Sequence, residues 1–161
     1  MTRPMITAAL CLFPATAMAQ DATARLQGAD GTDHGAIEMW AAPEGVVIRV
    51  NATGLPEGPH GFHIHETGAC APDFEAAGGH FAPDGNEHGF LNDSGPHAGD
   101  LPILHAAADG SAMADYHTRL TTLDALMDED GAAFIVHEAG DSYQSEAGSG
   151  GRLACGVIEG M

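Results

Sequence analysis

Histidine and aspartate recur in one ordered series through the chain. The series is His63, His65, His80, His88, His97, Asp100, His137 and Asp141, and Arg152 follows it. Imidazole nitrogens and carboxylate oxygens are ligands for transition metals, which take them in small fixed numbers. The series offers more ligands than one ion uses, so it predicts two ions, with a shared ligand as one arrangement.

The first two histidines lie in the motif Gly61-Phe62-His63-Ile64-His65. Alternate residues of a β-strand point to the same face, so His63 and His65 can chelate one ion while Phe62 and Ile64 pack into the core. A His-x-His pair on its own is equally consistent with polar surface. Further ligands elsewhere in the chain favour metal binding.

Those further ligands form two groups. His80, His88, His97 and Asp100 offer three imidazoles and a carboxylate, the donors of a closed tetrahedral zinc site. His137 ends an apolar run and can reach His63 and His65 from a neighbouring strand. A set of imidazole nitrogens suits copper, which accepts a tetragonal arrangement in its oxidised state.

Short strands are the elements that must position these residues. Alternating and β-branched residues predict strands over residues 23–27, 36–41, 45–51, 60–66, 111–117, 132–137 and 153–158. Only residues 120–127 indicate a helical turn. Many short strands separated by Gly and Pro favour an antiparallel sandwich or barrel. Residues 67–102 and 138–151 are polar, rich in Gly and too long for hairpin turns, so we interpret both as functional loops.

The composition limits the classes of partner. The 161 residues fit one domain, and 23 acidic residues against five arginines and no lysine give a formal net charge of −18. Nucleic acid and anionic membranes are therefore poor partners. We interpret the acidic residues as a solvated surface, with an acidic recognition patch as the alternative.

The N-terminus indicates export. Arg3 precedes an apolar run over residues 5–13 and then Ala17-Met18-Ala19, which predicts a signal peptide over residues 1–19 and a single mature domain over residues 20–161 in the periplasm. Cys11 leaves a lipoprotein as an alternative, although Leu10 stands where lipid attachment requires a small residue. Removal of the signal peptide takes Cys11 away and leaves Cys70 and Cys155. In an exported chain, such a pair favours one disulfide over two buried free thiols.

Five longer motifs surround the ligand series in a fixed order. They are Gly-Phe-His-Ile-His, Gly-Gly-His-Phe, His-Ala-Gly-Asp-Leu, Val-His-Glu and Gly-Gly-Arg-Leu-Ala-Cys-Gly-Val-Ile. With them, residues 23–158 resemble the copper/zinc superoxide dismutases of the bacterial exported type. The resemblance implies an all-β fold, an antiparallel Greek-key barrel or sandwich of about eight strands with two long functional loops. It also implies one copper and one zinc ion per subunit.

The resemblance implies a role for each residue of the series. The implied copper ligands are His63, His65, His80 and His137, and the implied zinc ligands are His80, His88, His97 and Asp100. His80 would therefore bridge the two ions. Asp141 would orient His63 and His88, Arg152 would hold the substrate anion beside copper, and Cys70 would pair with Cys155 in the family disulfide.

The implied reaction is the disproportionation of superoxide to dioxygen and hydrogen peroxide through a Cu(II)/Cu(I) cycle, with Arg152 and His80 as the catalytic residues. A periplasmic copper or zinc buffer on the same scaffold is the alternative function, and a purely structural β-sandwich would leave the ligand series unexplained. The family includes monomers and dimers, so a homodimer stays open. The chain departs from the family in having no lysine to attract superoxide. We therefore predict that local positive potential comes mainly from the two ions and Arg152, against a repulsive global field.

Overall fold

The computed structural model describes residues 19–161. The predicted signal peptide lies outside this part, apart from residue 19, and so does Cys11. Nine strands occur between residues 19 and 161: β1 Ala22–Gly28, β2 Asp33–Ala41, β3 Val46–Ala52, β4 Gly58–His60, β5 Phe62–His65, β6 Leu104–Ala106, β7 Ala112–Thr118, β8 Ala133–His137 and β9 Arg152–Gly160. A 3-10 helix covers Phe74–Ala77, and a single helical turn, α1, covers Leu123–Leu126.

Seven of these strands form one antiparallel sheet in the order β5-β8-β9-β1-β2-β3-β7, which curls into a half-barrel. The other two, β4 and β6, pair with each other. The predicted all-β antiparallel fold is confirmed. The strand predicted over residues 60–66 is divided at Gly61 into β4 and β5. Strand β6, only three residues long, was not predicted.

The main core lies inside the curled sheet. In β3 the residues alternate, with Val46, Ile48 and Val50 buried and Arg49 exposed, as expected for a sheet with one face in the core. Phe62 of β5 stacks on Phe134 of β8 with ring centroids 5.3 Å apart. Burying large aromatic and aliphatic side chains of this kind is the main stabilising contribution to such a fold.

Strand β8 is buried on both faces. Phe134 and Val136 face the main core, whereas Ala133 and Ile135 belong to a second, smaller cluster. That cluster includes Cys155 and the 3-10 helix residue Ala77. The first long loop therefore covers the outer face of the sheet at β5 and β8, which explains why five consecutive residues of β8 are apolar or buried.

The same loop pairs with the free edge of β5. The Ile64 N–H donates to Gly99 O at 2.8 Å, and Phe81 N–H donates to Ile64 O at 2.9 Å. A side chain at residue 99 would meet Ile64 O at 2.2 Å, so this approach requires glycine. The pairing places His80 and Asp100 opposite β5. No helix between residues 19 and 161 is long and apolar enough to cross a membrane.

Candidate metal centre

Three histidines project from the outer face of β5 and β8. His63 pairs with Ile135 and His65 pairs with Ala133, the residues of β8 that face away from the main core. His137 follows two residues after Ile135, and all three imidazoles are buried. Together with His80, they can present one ligand atom each within 4.8 Å of one another. Strand alternation thus brings together His63, His65 and His137, and the pairing of the loop with β5 adds His80. These four predicted copper ligands are the first set of donors.

Each of these three rings has one nitrogen held by the protein. His63 Nε2 donates to Asp141 Oδ2 at 2.5 Å, His65 Nδ1 donates to Gly78 O at 2.9 Å, and His137 Nδ1 lies 3.4 Å from Gly150 O. The opposite nitrogens, His63 Nδ1, His65 Nε2 and His137 Nε2, are buried without a partner among the described residues. Buried polar atoms are rarely left without a partner in folded proteins. Three converging lone pairs fit a copper ion.

Burial also sets the charge of these rings. It lowers the pKa of His65 to about 2 and that of His137 to about 4, and it lowers the pKa of His63 despite the hydrogen bond with Asp141. A buried imidazolium is costly, so the rings are neutral at neutral pH. The neutral ring, with a free lone pair, is the form that binds a metal.

A second set of donors surrounds Asp100. Its Oδ1 lies 3.0 Å from His80 Nδ1, 2.9 Å from His88 Nδ1 and 3.4 Å from His97 Nδ1. Donors bound at 2.0–2.1 Å to a tetrahedral zinc ion lie about 3.3 Å from one another, so these spacings fit zinc. Asp100 Oδ2 accepts from the N–H groups of Gly89 and His97, which orients the carboxylate.

Both His63 and His97 lie close enough to the other residues of this second set to belong to it. His63, His80, His88 and Asp100 also present one ligand atom each within 4.8 Å of one another. However, His63 Nε2 is engaged by Asp141, whereas His97 Nδ1 lies 3.3 Å from His80 Nδ1. We therefore place His97, and not His63, in the second set.

The charges in the second set are coupled. Burial opposes the charge of Asp100, but hydrogen bonds with His80, His88 and Gly89 N–H hold the pKa of its carboxyl well below the usual range. Burial likewise opposes protonation of His88, but Asp100 and Asp141 raise its pKa. A carboxylate that is ionised before any cation binds is a ready metal ligand.

Asp141 connects the two sets. Its Oδ2 contacts His63 Nε2, and its Oδ1 accepts from His88 Nε2 at 3.1 Å and from Tyr143 N–H at 2.6 Å. Burial alone would raise its pKa, but the bonds from His63, Tyr143 and His88 lower it to about 2. Asp141 is an ionised acceptor that fixes which nitrogen of each ring carries the proton.

Arg152 begins β9 and reaches the 3-10 helix. Its Nη1 donates to Phe74 O at 2.5 Å and its Nη2 donates to Gly78 O at 2.8 Å. The disulfide between Cys70 and Cys155, with 5.9 Å between the two Cα atoms, joins the same loop to the same strand. The predicted disulfide is confirmed. The positive charge of Arg152 also lowers the pKa of His65 and His137, after the larger effect of burial, so its field reaches the first set.

Sequence reasoning missed three contributors to the site. The carbonyl of Gly78 accepts hydrogen bonds from both His65 and Arg152. Tyr143 has a backbone φ of 60°, and its hydroxyl oxygen accepts a hydrogen bond from Ile103 N–H at 2.8 Å. Glu75 Oε2 lies 3.3 Å from Arg152 Nη2. The Gly-Gly pair directly before His80 indicates a turn, but it does not indicate which carbonyl accepts the bonds. Tyr143 and Glu75 left no pattern, because their contacts depend on how two loops fold.

Known proteins resemble the chain over most of its length. A family model described as copper/zinc superoxide dismutase matches residues 33–158. A Cu-Zn superoxide dismutase of Caulobacter vibrioides is 40% identical over 148 residues, which cover 86% of this chain and 85% of the relative.

Two solved structures are also similar. The crystal structure of a SOD-like protein from Bacillus subtilis superposes with a TM-score of 0.80 at 42% identity, covering 84% of this chain and 96% of that one. The Cu/Zn superoxide dismutase from Brucella abortus superposes with a TM-score of 0.74 at 32% identity, covering 86% of this chain and all of that one.

Proposed function

The chain belongs to the copper/zinc superoxide dismutase family, and on that premise we propose how its residues divide the work of dismutation. It is an oxidoreductase that converts superoxide to dioxygen and hydrogen peroxide, with copper and zinc as its metals. The metal-buffering alternative is not favoured, because relatives similar over most of the chain carry the name of the enzyme. The observation that carries the residue assignment is the set of three buried imidazole nitrogens without protein partners.

His63, His65, His80 and His137 would hold copper, and His80, His88, His97 and Asp100 would hold zinc. Copper supplies the one-electron chemistry when bound, by alternating between Cu(II) and Cu(I), and zinc supplies a fixed positive charge. The Nδ1 atom of His80 faces Asp100 and His97, which leaves Nε2 for the copper set. At Nε2, His80 can hold a proton in one half of the cycle and release it to the product in the other.

Asp141 and Arg152 act without binding a metal in this assignment. Asp141 keeps the Nε2 proton on His63, so that the Nδ1 lone pair stays available. Arg152, with a side chain 16% exposed and fixed by two carbonyls, presents a permanent positive charge to an entering anion. Burial of the rings excludes bulk water from the first set.

The test of the residue assignment is a superoxide decay assay on protein reconstituted with both metals. We expect His137→Ala to lose copper and to show decay no faster than the buffer, because one of the three orphaned nitrogens is removed. His105→Ala, at an exposed histidine of β6, is the matched control and is expected to keep full activity. Full activity in His137→Ala would contradict the copper assignment. An inactive parent protein that is fully loaded with both metals would favour the metal-buffering alternative.

We further propose that the protein works in the periplasm. The apolar run after Arg3 and the small residues at positions 17 and 19 support export, and so does the disulfide, because disulfides persist in oxidising compartments. Cell fractionation of a bacterium expressing residues 1–161 or 20–161 tests this. We expect only the longer chain in the periplasmic fraction. Sedimentation of the exported protein would decide between monomer and homodimer.

A further inference from the structure

The guanidinium of Arg152 has a third neighbour besides the two carbonyls that hold it. Glu75 Oε2 lies 3.3 Å from Arg152 Nη2, and the Glu75 side chain is 78% exposed, whereas that of Arg152 is 16% exposed. We propose that Glu75 is a built-in competitor for the anion site at Arg152, which lowers the affinity of that site for small anions. This inference rests on the proposed role of Arg152 as the residue that receives superoxide.

Hydrogen bonds fix the backbone of Glu75, whereas its side chain is exposed and contacts Arg152. The Glu75 N–H donates to Asp73 Oδ1 at 3.1 Å, and its carbonyl accepts from Gly78 N–H at 3.0 Å, so both ends of the residue are tied into the 3-10 helix. The same helix supplies the carbonyl of Phe74 that holds Arg152. A carboxylate on a fixed backbone next to the arginine can pair with it when no anion is present and swing into solvent when one arrives.

The distribution of positive charge makes the carboxylate of Glu75 important for anion binding. Of the four arginines between residues 19 and 161, Arg25, Arg49 and Arg119 contact Asp33, Asp115 and Glu44, and Arg152 is the one that touches the loop around the metal centre. Glu75 and Arg152 line a groove on the surface together with Asp73 and Glu159. The groove is also lined by Arg25, and Glu75 is the carboxylate in direct contact with the Arg152 guanidinium.

The expected size of the effect follows from Coulomb's law. Two unit charges about 4 Å apart interact in water by an energy that corresponds to roughly a fivefold change in an equilibrium constant. Glu75 is exposed, so the value for water applies, and dissolved salt screens it. Removal of its charge should therefore strengthen anion binding about fivefold at low ionic strength and less in concentrated salt.

The experiment measures azide binding to the copper- and zinc-loaded protein by the change in Cu(II) absorption, at about 10 mM and about 500 mM ionic strength. Azide is a small anion that is not turned over, so the measurement is independent of dismutation. The variants are Glu75→Gln, Arg152→Gln and the double variant. Glu44→Gln is the matched control, because it removes the carboxylate of another exposed glutamate–arginine pair and changes the net charge equally.

We expect Glu75→Gln to bind azide about fivefold more tightly at the low ionic strength, and Glu44→Gln to bind it like the parent. We expect the effect of Glu75→Gln to vanish when Arg152 is already Gln. Equal shifts in Glu75→Gln and Glu44→Gln, no shift in either, or a shift that persists without Arg152 would overturn the proposal. Unchanged azide affinity in Arg152→Gln alone would instead overturn the anion-binding role of Arg152 itself.

Discussion

His63, His65 and His137 each have one ring nitrogen held by the protein, and the other is buried without a partner among the described residues. The same burial that makes the orphaned nitrogens costly also keeps the rings neutral, so position and protonation state have one physical cause. His60 illustrates the contrast. Its Nδ1 lies 2.6 Å from His137 O and its Nε2 lies 2.8 Å from Pro56 O, so both nitrogens are used by the backbone and none remains for a metal.

Asp141 provides the first prediction at the scale of one residue. We expect Asp141→Asn to weaken the binding of both metals by about 10- to 100-fold, because an amide no longer holds the protons on His63 and His88 in place. Competition with a chromophoric chelator measures both affinities. Asp84→Asn, at an exposed aspartate of the same long loop, is the control. A loss confined to one metal would show that Asp141 serves only one ring.

The lowered pKa values of the histidines predict acid sensitivity in the metal-free protein. The unfolded chain binds protons at these histidines below about pH 6.5, whereas folded His137 and His65 resist protonation down to about 4 and about 2. The unfolded state therefore binds more protons across pH 6.5 to 4, and the free energy of unfolding falls as the pH falls through that window.

Each such group contributes up to about 1.4 kcal/mol per pH unit. His88, whose pKa is raised, opposes the trend. We expect the free energy of unfolding to be about 2 to 4 kcal/mol lower at pH 5 than at pH 7. Urea unfolding in the presence of a chelator measures it. A flat profile between these pH values would mean that the histidines are not buried in the metal-free fold.

At the scale of elements, the sequence predicted the strands well and their interruptions poorly. The alternation in β3 and the apolar run of β8 are local patterns, and both strands lie within a residue or so of their predicted bounds. Gly61 divides the strand predicted over residues 60–66, where its N–H donates to Ala139 O at the start of the second loop and its carbonyl accepts from His137 N–H at the end of β8. A pairing of that kind depends on distant chain, which local periodicity does not report.

The candidate site follows the same division. The identity of its histidines could be read from their spacing and from the family motifs, whereas the carbonyl of Gly78 and the carboxylate of Glu75 could not. Every residue has a backbone carbonyl, so sequence carries no mark of the one that will accept a bond. The 3-10 helix over Phe74–Ala77 has only four residues and lies in a polar loop. It is too short to show a helical pattern of apolar residues.

Closure of the second loop onto β5 gives a prediction at this scale. A Cβ at residue 61 would meet Ser149 Oγ at 2.5 Å and His63 Cε1 at 3.2 Å. Ser149 is 3% exposed, and its hydroxyl has no partner among the described residues. We expect Gly61→Ala to destabilise the protein by about 1 to 3 kcal/mol through overpacking.

A second substitution separates this clash from backbone effects. We expect Ser149→Gly to restore most of the stability in the Gly61→Ala background, because it removes both atoms that the new methyl group would meet first. The four variants form a double-mutant cycle, measured by urea unfolding of the metal-loaded protein. Additive losses would show that the two positions do not touch and that the loop closes elsewhere.

At the scale of the whole molecule, charge and site have opposite signs. The chain has 23 acidic residues and no lysine, and the exposed arginines Arg25, Arg49 and Arg119 each contact a carboxylate. Superoxide dismutase is itself a standard example of electrostatic attraction of substrate toward a positive cleft. From this distribution of charge we infer that the long-range field repels an anion and that attraction comes mainly from Arg152 and the ions, close to the site.

This arrangement predicts how the dismutation rate responds to salt. The Debye screening length is about 30 Å at about 0.01 M ionic strength and about 8 Å at about 0.15 M. Added salt therefore screens the repulsive surface before it screens Arg152, and we expect kcat/KM to stay level or to rise as the ionic strength increases over this range. Pulse radiolysis with two sodium salts, perchlorate and fluoride, measures the rate and separates screening from anion binding at Arg152. A steep fall common to both salts would reveal attraction from a positive surface that the distribution of arginines does not contain.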